Sequence, residues 1–344
     1  MSFSQKILKW YAEHKRELPW RTTKDPYKIW LSEIMLQQTR VAQGTPYYHR
    51  FLEAFPTVHD LADAAEETVL KLWQGLGYYS RARNLHATAR KVVDTYNGNF
   101  PETYKELKML KGVGDYTASA IASICFDIPE PVVDGNVYRV LSRYFGVELP
   151  INSTPGIKYF KELAKEVMNT ENIRDYNQGI MEFGAIQCAP KKPDCSICPL
   201  NDSCAALREN NVGLLPIKTN KAKVKNRYFN YLVFLDESNY TLLEQRKGKG
   251  IWQNLYQFPL LESEHIIGMD QLRDMLQQHN FPNLSNIQLH NDQPIVHKLS
   301  HQHLHTRFWV IKVREGIKTG IAWEQIGSFP VPVLIADFIE TFKI

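Results

Sequence analysis

Residues 110–140 read LKGVGDYTASAIASICFDIPEPVVDGNVYRV, and the folding of this stretch decides the rest of the chain. Gly112 and Gly114 flank Val113 in a turn between a helix expected over 103–109 and another starting near Asp115. Glycine permits a tight reversal with close backbone approach, and the first N–H groups of the following helix have no partner inside it. Such a helix start can take a phosphate on backbone donors without reading base sequence. A plain turn between helices is the simpler reading of the same residues. Cys125 lies in the apolar run SAIASICF and reads as an inert core thiol. Asp134 follows two valines and precedes an apolar stripe of Val137, Val140, Leu141 and Tyr144. That is an N-cap position, where helix donors are expected to stabilise the anion and lower its pKa.

Upstream, Glu33 sits in KIWLSEIMLQQ (28–38) among Ile29, Trp30, Leu31, Ile34, Met35 and Leu36. A carboxyl held there is poorly solvated, which raises its pKa and favours the acid form. One carboxyl pushed up and one pushed down is what acid-plus-electrostatic glycoside chemistry needs. Taken singly, Asp134 reads as a cap and Glu33 as a side chain reaching solvent, and the sequence does not place the two together. Downstream, Cys188-x6-Cys195-x2-Cys198-x5-Cys204 packs four thiols into one short loop. Such a loop surrounds either a tetrahedral metal or a cubane cluster. Zinc stays a rival on spacing alone, although structural zinc sites favour two close cysteine pairs and only 195/198 is close.

Residues 1–210 show apolar spacing of three and four, as in Ile7, Leu8 and Tyr11 and again in Leu61, Ala65, Val69, Leu72 and Trp73. Turn signals punctuate them at Pro19, Asn97-Gly98, Pro101, Pro129, Pro131 and Pro155-Gly156. From residue 228 the period becomes two: YFNYLVFL (228–235), YTLLEQRK (240–247) and HLHTRFWVIKV (303–313) read as strands, with short helices over 270–279 and 333–342. The domain boundary is expected in 211–226, where Lys218, Lys221, Lys223, Lys225 and Arg227 form a basic stretch that reads as a solvated linker. The 344 residues, 44% hydrophobic and 23% charged, exclude disordered and collagen-like classes and suit two or three domains. A net charge of +4 does not by itself announce a nucleic-acid partner. No apolar run approaches the roughly 18 residues of a membrane helix, and the first twenty residues lack a signal peptide's apolar core. Five cysteines, four of them in one loop, point to a metal site in a reducing compartment and so to a soluble, cytoplasmic protein, nucleoid-associated if bacterial.

Together these pieces resemble the helix-hairpin-helix DNA glycosylases of the endonuclease III superfamily over about residues 1–210. Leu18-Pro19-Trp20-Arg21, the Glu33–Thr39 segment EIMLQQT and the Gly75–Arg83 segment GLGYYSRAR are similar specifically to the MutY adenine glycosylases. GIWQNLYQFP (250–259) resembles the second, Nudix-like domain of that family. The implied architecture is a mainly α helix-hairpin-helix domain with a 4Fe-4S loop (1–210), a basic linker (211–226) and a smaller α+β Nudix-like domain (227–344). No Arg-Glu-x-x-Glu-Glu run occurs, so pyrophosphatase activity is not expected.

The resemblance implies removal of adenine mispaired with 8-oxoguanine or guanine in double-stranded DNA, by a monomer that uses no membrane. By motif position Glu33 would protonate adenine at N7, Asp134 would stabilise the cationic sugar, and Tyr116 and Asn136 would support both. Bifunctional relatives place a lysine two residues after the hairpin's second glycine; here Gly114 is followed by Asp115 and Tyr116. A phenol forms no Schiff base, so a monofunctional enzyme is expected; the alternative is an endonuclease III-like pyrimidine glycosylase with lyase activity. Leu36, Gln37, Gln38, Thr39 and Tyr78 match residues that fill the gap left by the flipped adenine and contact 8-oxoguanine. Arg21, Gly112, Val113 and Gly114 join them as DNA contacts. Leu299-Ser300-His301 matches a lesion-inspecting loop that usually reads Phe-Ser-His, and departs from it at Leu299. His301, His303 and His305 read as a polar strand face. The cluster ligands would be Cys188, Cys195, Cys198 and Cys204, and no cysteine follows them to build a linker zinc site.

Overall fold

The computed structural model describes residues 1–219, 224–278, 286–314 and 316–344. The chain divides into two compact units, residues 1–63 with 84–220 and residues 64–83 with 221–344. The second unit therefore takes in Ala64–Arg83, a segment the sequence pattern places in the helical half. No described helix is long and apolar enough to cross a membrane.

Helices in chain order are α1 (Phe3–His14), α2 (Pro26–Leu36), α3 (Val41–Ala54), α4 (Val58–Asp63), α5 (Glu66–Leu72), α6 (Ser80–Tyr96), α7 (Tyr104–Leu107), α8 (Asp115–Phe126), α9 (Gly135–Phe145), α10 (Thr154–Val167), α11 (Ile173–Ile186) and α12 (Ala205–Arg208). In the first unit α11 packs on α1, α8 and α9, and α2 packs on α3 and α8. The α1 start is fixed by a capping box in which the Ser2 hydroxyl accepts from Gln5 N and the Gln5 side chain accepts from Ser2 N. α2 opens on Asp25, whose carboxylate accepts from Tyr27 N at 2.9 Å, with Pro26 in the first turn. Buried residues run unbroken from Ile29 to Met35, so a carboxyl placed there has no solvent face to turn to. α8 buries Thr117 through Ile124, and its alanines and serines let α2 and α11 approach closely. The stripe expected from Leu61 to Trp73 is two helices instead of one. Ala65 adopts an extended conformation (ψ 137°) with no side-chain cap bond, and α5 restarts after it.

Strands are β1 (Lys225–Leu235), β2 (Tyr240–Thr241), β3 (Glu244–Gln245), β4 (Tyr256–Gln257), β5 (Leu260–Ser263), β6 (Asn286–Leu289), β7 (Ile295–Lys298), β8 (Gln302–Lys312) and β9 (Ile321–Ala322). The main sheet runs β5-β1-β8-β6, with β7 also on β8. Its centre is parallel, β1 against β8 from Lys225↔Gln302 to Leu235↔Lys312. A strand covered on both faces reads as a continuous apolar run, which accounts for FNYLVFL. Helix α13 (Met269–Gln278) covers one face through Leu272 and Leu276, against Leu232, Phe234, Trp309 and Ile311. Helix α14 (Val333–Thr341) stacks Phe338 on Phe308 with centroids 4.1 Å apart. Both helices stand within one residue of their expected bounds. YTLLEQRK is not one strand: Tyr240–Thr241 pairs with β9 and Glu244–Gln245 with β4, so the chain breaks where it changes partner.

Much of the expected linker is ordered. Leu215 is buried and its carbonyl accepts from Arg143 Nε at 3.1 Å, while Ile151 N donates to the Ile217 carbonyl at 3.0 Å. Lys225 and Arg227 belong to β1, and Arg227 forks onto Glu262 at 2.7 and 2.6 Å. Lys221 and Lys223 lie outside the described residues.

Candidate active site

Glu33, Tyr116, Asp134 and Asn136 line one cavity of about 610 Å³ in the first unit, together with Arg21, Leu36, Gln37, Gln38, Thr39 and Gly114. The two carboxyls that the sequence left apart are thus neighbours. Burial pushes Glu33 up to about 7; a hydrogen bond from Tyr116 opposes the rise, and the Asp134 charge adds to it. Tyr116 is driven well above the ordinary phenol value by burial and by the two carboxylates, so it stays a neutral donor. Its hydroxyl also lies 3.2 Å from Met181 Sδ.

Asp134 is the N-cap of α9: Oδ1 accepts from Asn136 N at 2.9 Å and from Val137 N at 2.8 Å, and Oδ2 from Asn136 Nδ2 at 2.9 Å. Arg139 Nη2 holds Asn136 Oδ1 at 2.8 Å and so fixes that amide. The expected lowering of Asp134 is overturned. Burial raises its carboxyl, and the helix donors, the Asn136 amide and Arg139 offset the rise only in part. Glu33 has one such opposing hydrogen bond where Asp134 has three, so Glu33 is the better suited of the two to hold a proton.

Glu182 and Arg16 also line this cavity and escaped the sequence reading. Glu182, 2% exposed on α11, is gripped by Arg16 through Nε at 2.7 Å and Nη2 at 2.6 Å. Arg21 grips the same carboxylate through Nη1 at 3.1 Å and Nη2 at 2.8 Å. Burial alone would raise Glu182, but the two guanidinium groups hold it at about 2. Arg21, matched in sequence to a DNA contact, is thus part of an ion triad lining the cavity that holds Glu33 and Asp134. Glu182 stands alone in the apolar stretch GIMEFG, the same signal that singled out Glu33.

The hairpin has the expected geometry. Gly112 has φ +80°, and a Cβ there would stand 2.9 Å from Asn84 Cβ, so glycine is required twice over. Val113 is buried. Gly114 caps α8 with no side-chain bond, and its open side faces no atom within 4 Å. Gln37 Nε2 donates to Thr117 Oγ1 at 3.2 Å, while Gln38 is exposed at φ +56°. The Cys125 thiol is half-buried and pushed up to about 12, chiefly by burial, which suits an unreactive thiol.

Tyr78, Ser300 and His301 are not in this cavity. They line another, of about 540 Å³, within the second unit, with Arg83, Trp252 and Leu299. Ser300 Oγ and His301 Nδ1 are 3.2 Å apart. Tyr78 is 47% exposed, with the Arg81 guanidinium 5.5 Å from its ring centroid. His305 stacks on Tyr228 and approaches Asn226 Oδ1 at 3.3 Å, a polar strand face.

Cys188, Cys195, Cys198 and Cys204 surround a cavity of about 30 Å³. Among the described residues no three His, Cys, Asp or Glu are placed to hold a single ion. Arg143 Nη1 approaches Cys188 Sγ at 3.4 Å. Burial, then the neighbouring sulfurs, raise the Cys195 thiol, and Cys198 reaches about 11. Four thiolates in this space need a multiply charged cation to hold them together, and the donor set fits a cluster.

A model of the HhH-GPD superfamily of base excision DNA repair proteins matches residues 31–165, and a NUDIX-domain model matches residues 230–341. A protein of Buchnera aphidicola from Baizongia pistaciae, named adenine DNA glycosylase, is 36% identical over 311 residues, spanning 90% of this chain and 86% of its own. The chain belongs to the adenine DNA glycosylases. A mouse adenine DNA glycosylase is 44% identical over 223 residues, covering 62% of this chain and 43% of the relative. Among solved structures, a thermostable thymine-DNA glycosylase superposes with a TM-score of 0.57 at 33% identity, covering 60% of this chain and 95% of its own. An endonuclease III–DNA complex, at 24% identity and TM-score 0.53, shares the fold over 60% of this chain and 94% of its own. This adenine DNA glycosylase family member is therefore a base excision enzyme with a helix-hairpin-helix unit followed by a Nudix-like unit.

Proposed function

We propose that the enzyme removes adenine paired with 8-oxoguanine, or with guanine, from duplex DNA, and does not itself cut the strand. The observation that carries this is one cavity holding a buried Glu33 near pKa 7 beside the α9-capping Asp134. A base in the helical stack is out of reach, so adenine must swing into the cavity; glycosylases are among the handful of enzymes known to work this way. Glu33 in its acid form donates to the ring N7, and the leaving base carries away the electron pair of the glycosidic bond. Asp134 stabilises the oxocarbenium sugar, and Asn136 and the α9 donors keep that carboxylate aimed. Glu33, now ionised, accepts a proton from the attacking water, which closes the cycle. The absence of an amine at position 116 supports a monofunctional reaction. The Glu182 ion triad fixes one wall of the cavity and fits a role in shaping the base pocket.

The test is a labelled duplex with adenine opposite 8-oxoguanine. Strand breaks are expected only after alkali. Breaks without alkali would favour the bifunctional alternative, and none in either condition would remove the reading. We assign the Tyr78, Ser300 and His301 cavity to the opposing base, since a hydroxyl and an imidazole suit the N7–H and C8 oxygen that mark 8-oxoguanine. Ser300→Ala with His301→Ala should narrow the preference for 8-oxoguanine:adenine over guanine:adenine by about 5- to 150-fold, the loss of about 1–3 kcal/mol of hydrogen bonding. Equal losses on both duplexes would show that the loop serves only its own packing.

The four cysteines are assigned to a 4Fe-4S cluster, which would clip the 188–204 loop and place Lys191 and Lys192 near phosphate. Purified protein should be yellow-brown, with about four iron and four sulfide per chain. Stoichiometric zinc without iron after anaerobic preparation would overturn the assignment.

A further inference from the structure

Within the second unit, the Ala64–Arg83 segment and the loop ahead of β4 are tied together by side chains. Asn254 Nδ2 donates to Glu66 Oε1 at 2.5 Å, Tyr256 Oη donates to Glu67, and Arg83 Nη1 donates to the Gln253 carbonyl at 2.8 Å. On the other flank Lys71 Nζ donates to the Phe329 carbonyl and Val331 N to Gln74 Oε1, each at 3.2 Å. Between these attachments runs the stretch that carries Tyr78, with φ +94° at Gly75, +76° at Gly77 and +48° at Tyr78. The facing loop is bent in the same way, with φ +59° at Trp252 and +66° at Asn254. A tyrosine or tryptophan at positive φ is strained and persists only where its surroundings hold it. Each strained loop supplies one wall of the same cavity, Tyr78 from one and Ile251 and Trp252 from the other. Glu66 and Asn254 are not among the residues lining that cavity.

We propose that the Glu66–Asn254 pair, aided by Arg83 on the Gln253 carbonyl, is a latch that sets Tyr78 against the Trp252 and Ser300–His301 walls. By setting that spacing it determines how sharply the enzyme separates 8-oxoguanine from guanine opposite adenine. Glu66 and Asn254 are positioning residues: they act through the two loops and touch no DNA. The specificity claim rests on the lesion reading above, and the latch itself does not.

The test uses the full chain with Glu66→Ala, Asn254→Ala and both together, alongside Tyr78→Ala and the conservative Glu66→Gln, which keeps an acceptor oxygen. Amide hydrogen exchange in the DNA-free protein should quicken about tenfold over 74–80 and 250–254 in either alanine variant. The double variant should be no worse than the singles, because one bond joins the two. The ratio of excision rates on the two duplexes should narrow toward that of Tyr78→Ala, with the guanine:adenine rate at saturating enzyme unchanged and Glu66→Gln restoring both readouts. Unchanged exchange would overturn the latch whatever the ratios do. Faster exchange with an intact ratio, when Tyr78→Ala narrows it, would overturn the specificity role. If Tyr78→Ala itself leaves the ratio intact, the lesion reading fails and the specificity claim with it, while the exchange data still decide the latch.

Discussion

Excision by Glu33→Gln is expected to fall by ~10²–10⁴-fold or more, with DNA binding retained. Glutamine keeps the shape of the side chain and its reach into the cavity but has no proton to give. The same carboxyl predicts the pH profile. With Glu33 near 7, the acid form that donates is present below that pH and lost above it. The single-turnover rate at saturating enzyme should be level on the acid side and fall about tenfold per pH unit beyond about 7, following the fraction of acid form. Wild-type turnover in the variant, or a rate that climbs through neutrality, would remove Glu33 as the general acid.

Loss of Glu182 should have the largest effect on stability. Holding a buried carboxylate at about 2 in place of its ordinary 4.5 corresponds to about 3 kcal/mol. That agrees with the ~3–5 kcal/mol typical of breaking a buried ion pair by removing one partner. Glu182→Ala leaves Arg21, whose side chain is 14% exposed, without its anion. Because the folded-state value is depressed, this stabilisation is present above about pH 4.5 and drains away as pH falls toward 2. Urea titrations at pH 7 should therefore separate variant from wild type widely, and titrations near pH 3 should narrow the gap to roughly 40% of that, with the rest lost as pH approaches 2. A difference at pH 7 below about 0.5 kcal/mol, the range of ordinary surface substitutions, would show that the triad contributes nothing to the fold.

What could be read from sequence was what has a local cause. Gly112 is glycine because its own backbone and the nearby Asn84 demand it, and Asp134 caps α9 because its donors lie two and three residues away. Glu33 was visible through its apolar neighbours on one helix. The Glu182 triad was not, because Arg16 and Arg21 lie 166 and 161 residues from it along the chain, and no short motif links them. The direction of the Asp134 shift failed for a related reason: its cap donors are local, but the burial that outweighs them is tertiary. In YTLLEQRK the alternation was real, but it could not show that the two ends pair with different strands.

Gly114 leaves the start of α8 without a side-chain oxygen, although nothing within 4 Å would obstruct one. A serine or aspartate there would gain a few tenths of a kcal/mol for the isolated protein. It would also fill the space in which a DNA phosphate oxygen would sit were this helix end to bind the backbone. Every nucleotide carries that phosphate, so what the bare helix end gains on binding is the same at each step along an undamaged duplex. A hairpin that holds the backbone in this way would keep the protein travelling on DNA and give it no reason to halt. Arrest has to come from the base pair itself, and a stronger grip at the hairpin would slow the search without making any stop more accurate.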